Sequence, residues 1–319
     1  MTSLRPDTSR GTGIVAGVTP LVLVAVVITV LSWASAFVVI RGTGQHFSGG
    51  GLALARLTVG TVLLGLLMFR VKWVRPTGRE WVALALFGVA WFGAYNVALN
   101  IAEQTLDAGT TAMLVNIGPI LIALGAGLFL REGIPKWLAI GAGVAFVGVV
   151  LIGMGSGALS GSVDSAGVLW CLVAAVTYAA GVLIQKPLLR TLPSAQVTWL
   201  GCAVGMVSCL PFTGQLISDV STAPTSAIVG AIYLGAIPTA LAFTTWGYAL
   251  ARVPAGQLSV STYIVPALVV LLSFLVFAEI PPALAIVGGV VCLVGVALSR
   301  RKTAVATSPT AAARAGGDA

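Results

Sequence analysis

The chain has 319 residues, 58% of them hydrophobic and only 8% charged, with a mean hydropathy of +1.05. Soluble domains carry about 25% charged residues, so this composition excludes a water-soluble globular fold. The net charge of +8 would suit a nucleic-acid binder, but the basic residues sit in short clusters between apolar spans, where they read as topology signals.

In chain order, residues 1–19 are polar, carry Arg5 and Arg10, and are expected to form a disordered cytoplasmic lead. An apolar run to Ile40 follows. It contains Ala34-Ser35-Ala36, which imitates a signal-peptide cleavage site, but it continues through Phe37, Val38, Val39 and Ile40 and so reads as a membrane span. The hydropathy pattern predicts ten helices, at 20–41, 50–69, 81–101, 109–130, 135–154, 166–185, 194–213, 226–249, 256–277 and 282–299. A helix of about 20 apolar residues crosses a ~30 Å hydrocarbon layer. Gly49-Gly50-Gly51, Arg75-Pro76, the Gly/Ser run from Gly153 to Ser165, Lys186-Pro187, Pro224 and Pro281-Pro282 punctuate the spans. The tail, 301–319, is rich in Ala, Thr, Ser and Pro and is expected to be disordered.

Charge tests this threading. With the N-terminus inside, Arg70, Lys72, Arg75, Arg79, Lys186, Arg190, Arg300 and Arg301 all fall on the cytoplasmic side. Only Arg41 and Arg56 fall on the outer half, with Glu103, Asp107, Asp164, Asp219 and Glu279. That asymmetry is the positive-inside bias. It predicts a multi-pass membrane protein with both termini cytoplasmic.

The text from Ala108 to Leu151 returns from Ala255 to Leu298 at one constant offset without a gap. Ala108-Gly109 match Ala255-Gly256, Pro119 matches Pro266, Glu132 matches Glu279, Pro135 matches Pro282, and Gly141 and Gly148 match Gly288 and Gly295. Apolar coincidence would not also align Gly, Pro and Glu, so this is an internal duplication. Each unit, 20–154 and 166–300, then holds five helices. An odd number makes the second unit enter from the opposite side, the inverted-repeat arrangement of many secondary transporters. The expected fold class is an all-α membrane protein of ten transmembrane helices in two inverted five-helix repeats.

Polar side chains at membrane depth are costly unless they face a bundle interior or a wet cavity. Asn96, Asn100 and Glu103 share one face of the third predicted helix. They serve either a cavity or interhelical hydrogen bonding. Asn116 lies three residues before Pro119, and its repeat partner Tyr263 lies three before Pro266. Trp33 and Tyr178 align when the starts of the two units are superposed, and Trp246 and Tyr248 add rings. These residues suggest a central cavity with aromatic walls. Pro119 and Pro266 are expected to kink helices at mid-length and shape it. Arg56 is expected to snorkel outward, to pair with Glu103 or Asp107, or to attract an anionic group of a solute. Trp73, Trp81 and Trp137 suit the interface belt. The glycines at 141–148 and 288–295 suit close helix packing, either within the chain or in a homodimer.

No His/Asp pair, H-E-x-x-H motif or phosphate-binding Gly loop is present, so no catalytic residue and no cofactor are assigned. Cys171, Cys202, Cys209 and Cys292 lie inside apolar spans without paired spacing, beside a single His in the whole chain. Neither a metal site nor a disulfide framework is expected from them.

The chain resembles the EamA-type family of the drug/metabolite transporter superfamily. The resemblance rests on Trp33-Ala34-Ser35-Ala36-Phe37, Ala55-Arg56-Leu57, Tyr248-Ala249-Leu250 with Ala255-Gly256, and Pro119 and Glu132 with their repeats. It departs at Asn100-Ile101-Ala102 and at Arg131-Glu132. It implies an inner-membrane permease exporting amino acids, other metabolites or toxic compounds from the bacterial cytoplasm through a central pocket drawn from predicted helices 1, 3, 4, 6, 8 and 9. The partners are then a small solute and the lipid bilayer, with no nucleic acid. A non-transporting membrane scaffold or sensor is the alternative.

Overall fold

The computed structural model describes residues 19–129, 136–155 and 164–299. Glu132, Pro135, and the polar lead and tail outside 19–299 lie beyond the described residues. All regular structure among the described residues is helical.

Four of the helices start at a side-chain cap. Thr19 caps α1 (Pro20–Thr43), Ser48 caps α2 (Gly49–Met68), and Thr77 with Glu80 forms a capping box on α3 (Gly78–Phe87). A π-helical turn, Gly88–Ala94, joins α3 to α4 (Tyr95–Thr105). Asp107 accepts from Thr110 N at 2.8 Å and starts α5 (Ala108–Val115). Then come α6 (Gly118–Phe129), α7 (Lys136–Gly155) and α8 (Asp164–Leu188). A bend of 48° separates α9 (Ser194–Ser208) from the Leu210–Phe212 turn and α10 (Thr213–Thr222). After α11 (Thr225–Leu234), a second π-helical turn, Gly235–Leu241, leads into α12 (Ala242–Arg252). The chain closes with α13 (Ala255–Leu258), a 3₁₀ stretch at Ser259–Ile264, α14 (Val265–Phe277) and α15 (Ala283–Ser299).

Among the described residues, seven helices are long and apolar enough to cross a membrane, or eight if the bent α9–α10 pair is one span. Two shorter apolar helices, Ser261–Phe277 and Ala283–Ser299, accompany them. Large apolar side chains such as Leu66, Phe146 and Leu271 are exposed on the outer surface, which is what contact with lipid tails requires. The chain is an all-helical, multi-pass membrane protein.

The structure corrects three expectations. Pro119 and Pro266 do not kink a continuous helix. The helix breaks at Asn116 and Ile117, and Pro119 stands in the first turn of α6; Pro266 does the same in α14. A first turn has no partner for its amide protons, so proline is tolerated there and pre-sets the restart. The span predicted at 194–213 stops at Ser208 and turns away at Pro211.

The two π-helical turns stand at the same offset as Pro119 and Pro266, and so do α3 and α11, and α4 and α12. The duplication therefore reaches further along the chain than matching residues reveal. Packing repeats too: α1 contacts α12 and α14, while α8 contacts α4 and α6. Two repeat-equivalent helices, α7 and α15, pack on each other. A Cβ at Gly148 would come within 2.6 Å of the Gly288 carbonyl oxygen, and one at Gly295 within 2.6 Å of the Gly141 carbonyl oxygen. Early glycines of α7 face late ones of α15, so these helices run antiparallel. The glycines serve close packing within the chain.

Candidate functional site

Between the halves lies a cavity with about 600 Å³ of atom-free space, of which only about 50 Å³ admits the centre of a water molecule. The smaller figure lies well below the ~300–1,000 Å³ of small-molecule sites, so side chains pinch the cavity and a solute would need its walls to part. Its wall carries Trp33 of α1, Arg56 of α2, Trp91 of the first π-helical turn, Tyr95 of α4, Asn116 after α5 and Tyr178 of α8. Phe243, Thr262 and Val265 close the far side.

The rings form one connected group. Trp33 stands with its centroid 5.0 Å from Trp246, 5.5 Å from Phe243, 6.3 Å from Trp91 and 6.5 Å from Tyr178. Trp91 lies 5.3 Å from Tyr178, and Tyr95 6.2 Å from it. Edge-to-face and tilted contacts of this kind each contribute about 0.5–1.5 kcal/mol beyond area burial.

The structure brings together four of the residues singled out from sequence, Trp33, Arg56, Asn116 and Tyr178. Others stand elsewhere. Asn96 is fully buried and donates from Nδ2 to the carbonyls of Phe92 (2.7 Å) and Trp91 (3.3 Å). A π-helical turn displaces carbonyls from their usual partners, and Asn96 satisfies two of them. Thr239 does the same in the second such turn, donating to Leu234 O at 2.8 Å. Asn100 donates to Gly49 O at 3.1 Å and fastens α4 to the start of α2. Trp246 is buried behind Trp33. Tyr263 is half-buried and packs against Ile120, Ala145 and Val296, while its neighbour Thr262 reaches the cavity.

Tyr95 and Leu99, spaced i and i+4, present the cavity face of α4. Sequence reasoning chose the neighbouring stripe because amides and a carboxylate mark it. Nothing polar announced the π-helical turn that carries Trp91. Arg56 neither snorkels nor ion-pairs: it is 3% exposed, and its Nε donates to Thr239 Oγ1 at 3.2 Å. Glu103 is buried, and neither carboxylate oxygen has a hydrogen-bond partner.

The ends of the bundle are tied by cations. Arg41 pairs with Glu279 (Nη2 to Oε1, 2.9 Å) and donates from Nη1 to Glu103 O at 3.0 Å. Ala278, at φ 55°, turns the chain after α14 and brings Glu279 to Arg41. Lys186 donates to Leu250 O and Val253 O, capping the end of α12.

Apolar helices around a narrow ring-walled cavity, with polar groups at only a few points, define a multi-pass membrane protein with a candidate solute site. The comparisons with known proteins say which. The profile of the EamA-like transporter family matches residues 20–154 and 165–301, and the chain belongs to that family. It is similar to a probable terminal-alkyne amino-acid exporter of Streptantibioticus cattleyicolor, 36% identical over 88% of this chain and 93% of that one. It is also similar to the uncharacterized transporter YdfC of Bacillus subtilis, 33% identical over 85% of this chain and 88% of that protein. A crystal structure superposes with a TM-score of 0.63 over 88% of this chain and 96% of its own, at 18% identity, a likeness of fold alone. The protein is a membrane transporter.

Proposed function

We propose that the protein exports small amino-acid-like or amphiphilic solutes across the inner membrane by alternating access, through the cavity walled by Trp33, Tyr178 and Asn116. Ten helices cross the bilayer in two inverted five-helix repeats, 20–154 and 166–300, with both termini cytoplasmic. The observation that carries this reading is the narrow, aromatic-walled cavity lying between elements of both repeats. The antiparallel course of the equivalent helices α7 and α15 supports inversion. The relative named as an amino-acid exporter supports the solute class.

Two similar halves facing opposite ways can exchange conformations at modest energetic cost, which opens a midplane site to each side in turn. The test is an untargeted comparison of metabolites excreted by cells with and without the protein, repeated with Trp33→Ala and Asn116→Ala. A solute whose efflux needs both residues is expected. Efflux indifferent to both substitutions would return the chain to the scaffold or sensor class.

A further inference from the structure

α2 carries one charged residue, Arg56, and the fold places it in the cavity wall with 3% of its surface exposed. Its hydrogen-bond partner is neutral. Nε donates to Thr239 Oγ1, and that hydroxyl passes its own proton to Leu234 O. Nη1 has no partner. Among the described residues the ion pair is Arg41–Glu279, so no carboxylate lies within 4 Å of Arg56, although the buried Glu103 carboxylate is near enough to feel its charge. The other buried charged residue among them, Glu103, makes no hydrogen bond to it.

A guanidinium does not shed its proton, and a cation held away from water without an anion is strongly disfavoured. Thr239 holds one edge of the guanidinium in place and leaves Nη1 unpaired. A planar fork of this kind matches a carboxylate in two parallel hydrogen bonds. The polar remainder of the wall, Tyr95, Asn116, Tyr178 and Thr262, is uncharged. One cation suits a monoanion; a dianionic phosphate would call for more.

We propose that Arg56 binds the carboxylate of the transported solute, so that the solutes are small carboxylates whose apolar side chains lie against Trp33, Trp91 and Phe243. This rests on the exporter reading above and names the chemical group the cavity selects.

The test uses the full-length protein in liposomes and matched probes: L-phenylalanine, L-leucine and propargylglycine against their primary amides, with inorganic phosphate as competitor. The wild type is expected to exchange the acids and to carry the amides at least about tenfold more slowly, as loss of a charge-assisted bidentate pair implies. Arg56→Gln is expected to lose acid exchange by a similar factor. Arg56→Lys, a point charge without the fork, is expected to raise KM for the acids with the maximal rate retained. Glu103→Gln is expected to leave acid exchange in place.

A wild type that carries neither acids nor amides would sink the exporter reading itself. A wild type that carries both equally would overturn the assignment of Arg56 alone, as would a monodisperse Arg56→Gln that still exchanges acids, or phosphate that competes at the level of the acids. Acid exchange lost equally in Glu103→Gln would show Arg56 merely balancing that carboxylate. If Arg56→Gln does not fold, Arg56→Lys decides: an unchanged KM overturns the proposal.

Discussion

Arg41 and Lys186 make the same bond in the two halves of the chain. Arg41 Nη1 donates to the carbonyl of Glu103 at 3.0 Å, and Lys186 Nζ donates to the carbonyl of Leu250 at 2.5 Å. Glu103 and Leu250 stand at the offset that relates Pro119 to Pro266. Each cation ties the first helix of its half, α1 or α8, to the last turn of α4 or α12, where the helix dipole favours positive charge. Trp33 and Tyr178 are each eight residues before the cation of their helix, so the ring pair and the cation pair share one alignment. In the inverted arrangement proposed above, Arg41 stands toward the outer end of the bundle and Lys186 toward the cytoplasmic end.

That relationship predicts side-selective gating. The Arg41–Glu279 pair is about a quarter exposed, at 24% and 27%, so its contribution is modest. Glu279→Gln should speed maleimide labelling of a cysteine placed at Val265, in the cavity wall, by roughly two- to fivefold from the outside. Arg41→Met, which also removes the bond to Glu103 O, should exceed that. Lys186→Met should speed labelling from the cytoplasmic side only. Labelling unchanged by all three would mean that these cations cap helices without guarding the cavity.

Asn116 and Asn100 should separate transport from stability. Asn116 lies at the cavity wall, whereas Asn100 is spent on Gly49 O. Asn116→Leu should cut efflux severalfold while the melting temperature of the purified protein stays near that of the wild type. Asn100→Leu should lower the melting temperature by leaving the Gly49 carbonyl unpaired, a loss of about 1–3 kcal/mol. The reverse pattern would assign the cavity to the wrong amide.

Asn96 tests the π-helical turn. Asn96→Leu strips the carbonyls of Trp91 and Phe92 of their donor. The expected cost is about 1–3 kcal/mol, seen as a lower unfolding temperature followed by tryptophan fluorescence. Trp91 is the chromophore closest to the defect, so its emission should shift before global melting. A variant as stable as the wild type would mean that the released carbonyls find other partners.

Composition and the Pro, Gly and Glu spacing made the membrane fold and the duplication legible in the sequence, because hydrocarbon imposes a length and an apolar filter on every span. Trp33, Asn116 and Tyr178 were legible as cavity residues for the same reason: polar and amphipathic side chains at mid-span call for a partner. What could not be read was rotational phase. One extra residue in each π-helical turn changes which side chains share a face, so Tyr95 and Leu99 meet the cavity while Asn96 and Asn100 turn to neighbouring backbone. No side-chain chemistry marks such a turn. The helix breaks before Pro119 and Pro266 were likewise misplaced, because proline reports a helix start as readily as a kink.

Gly148 and Gly143 give the packing argument an internal control. Both lie on α7, so helix propensity acts on both alike, and alanine is worth about 0.8–1.0 kcal/mol more than glycine in a helix interior. A Cβ at Gly143 meets nothing within 4 Å, whereas one at Gly148 would lie 2.6 Å from the Gly288 carbonyl oxygen and from the Cys292 amide nitrogen. Backbone atoms cannot swing aside as a flexible side chain can, so α7 and α15 would have to separate. Gly148→Ala should therefore lower stability by about 1–3 kcal/mol, and Gly143→Ala should leave it unchanged or raise it. Gly288→Ala should match Gly148→Ala, and the double variant should cost less than the sum, since one separation of the helices accommodates both methyl groups. Thermal unfolding of the four variants in detergent checks this. Equal behaviour of the variants at Gly143 and Gly148 would mean that α7 and α15 do not touch through these glycines, and the antiparallel pairing that supports the inverted repeat would lose its physical basis.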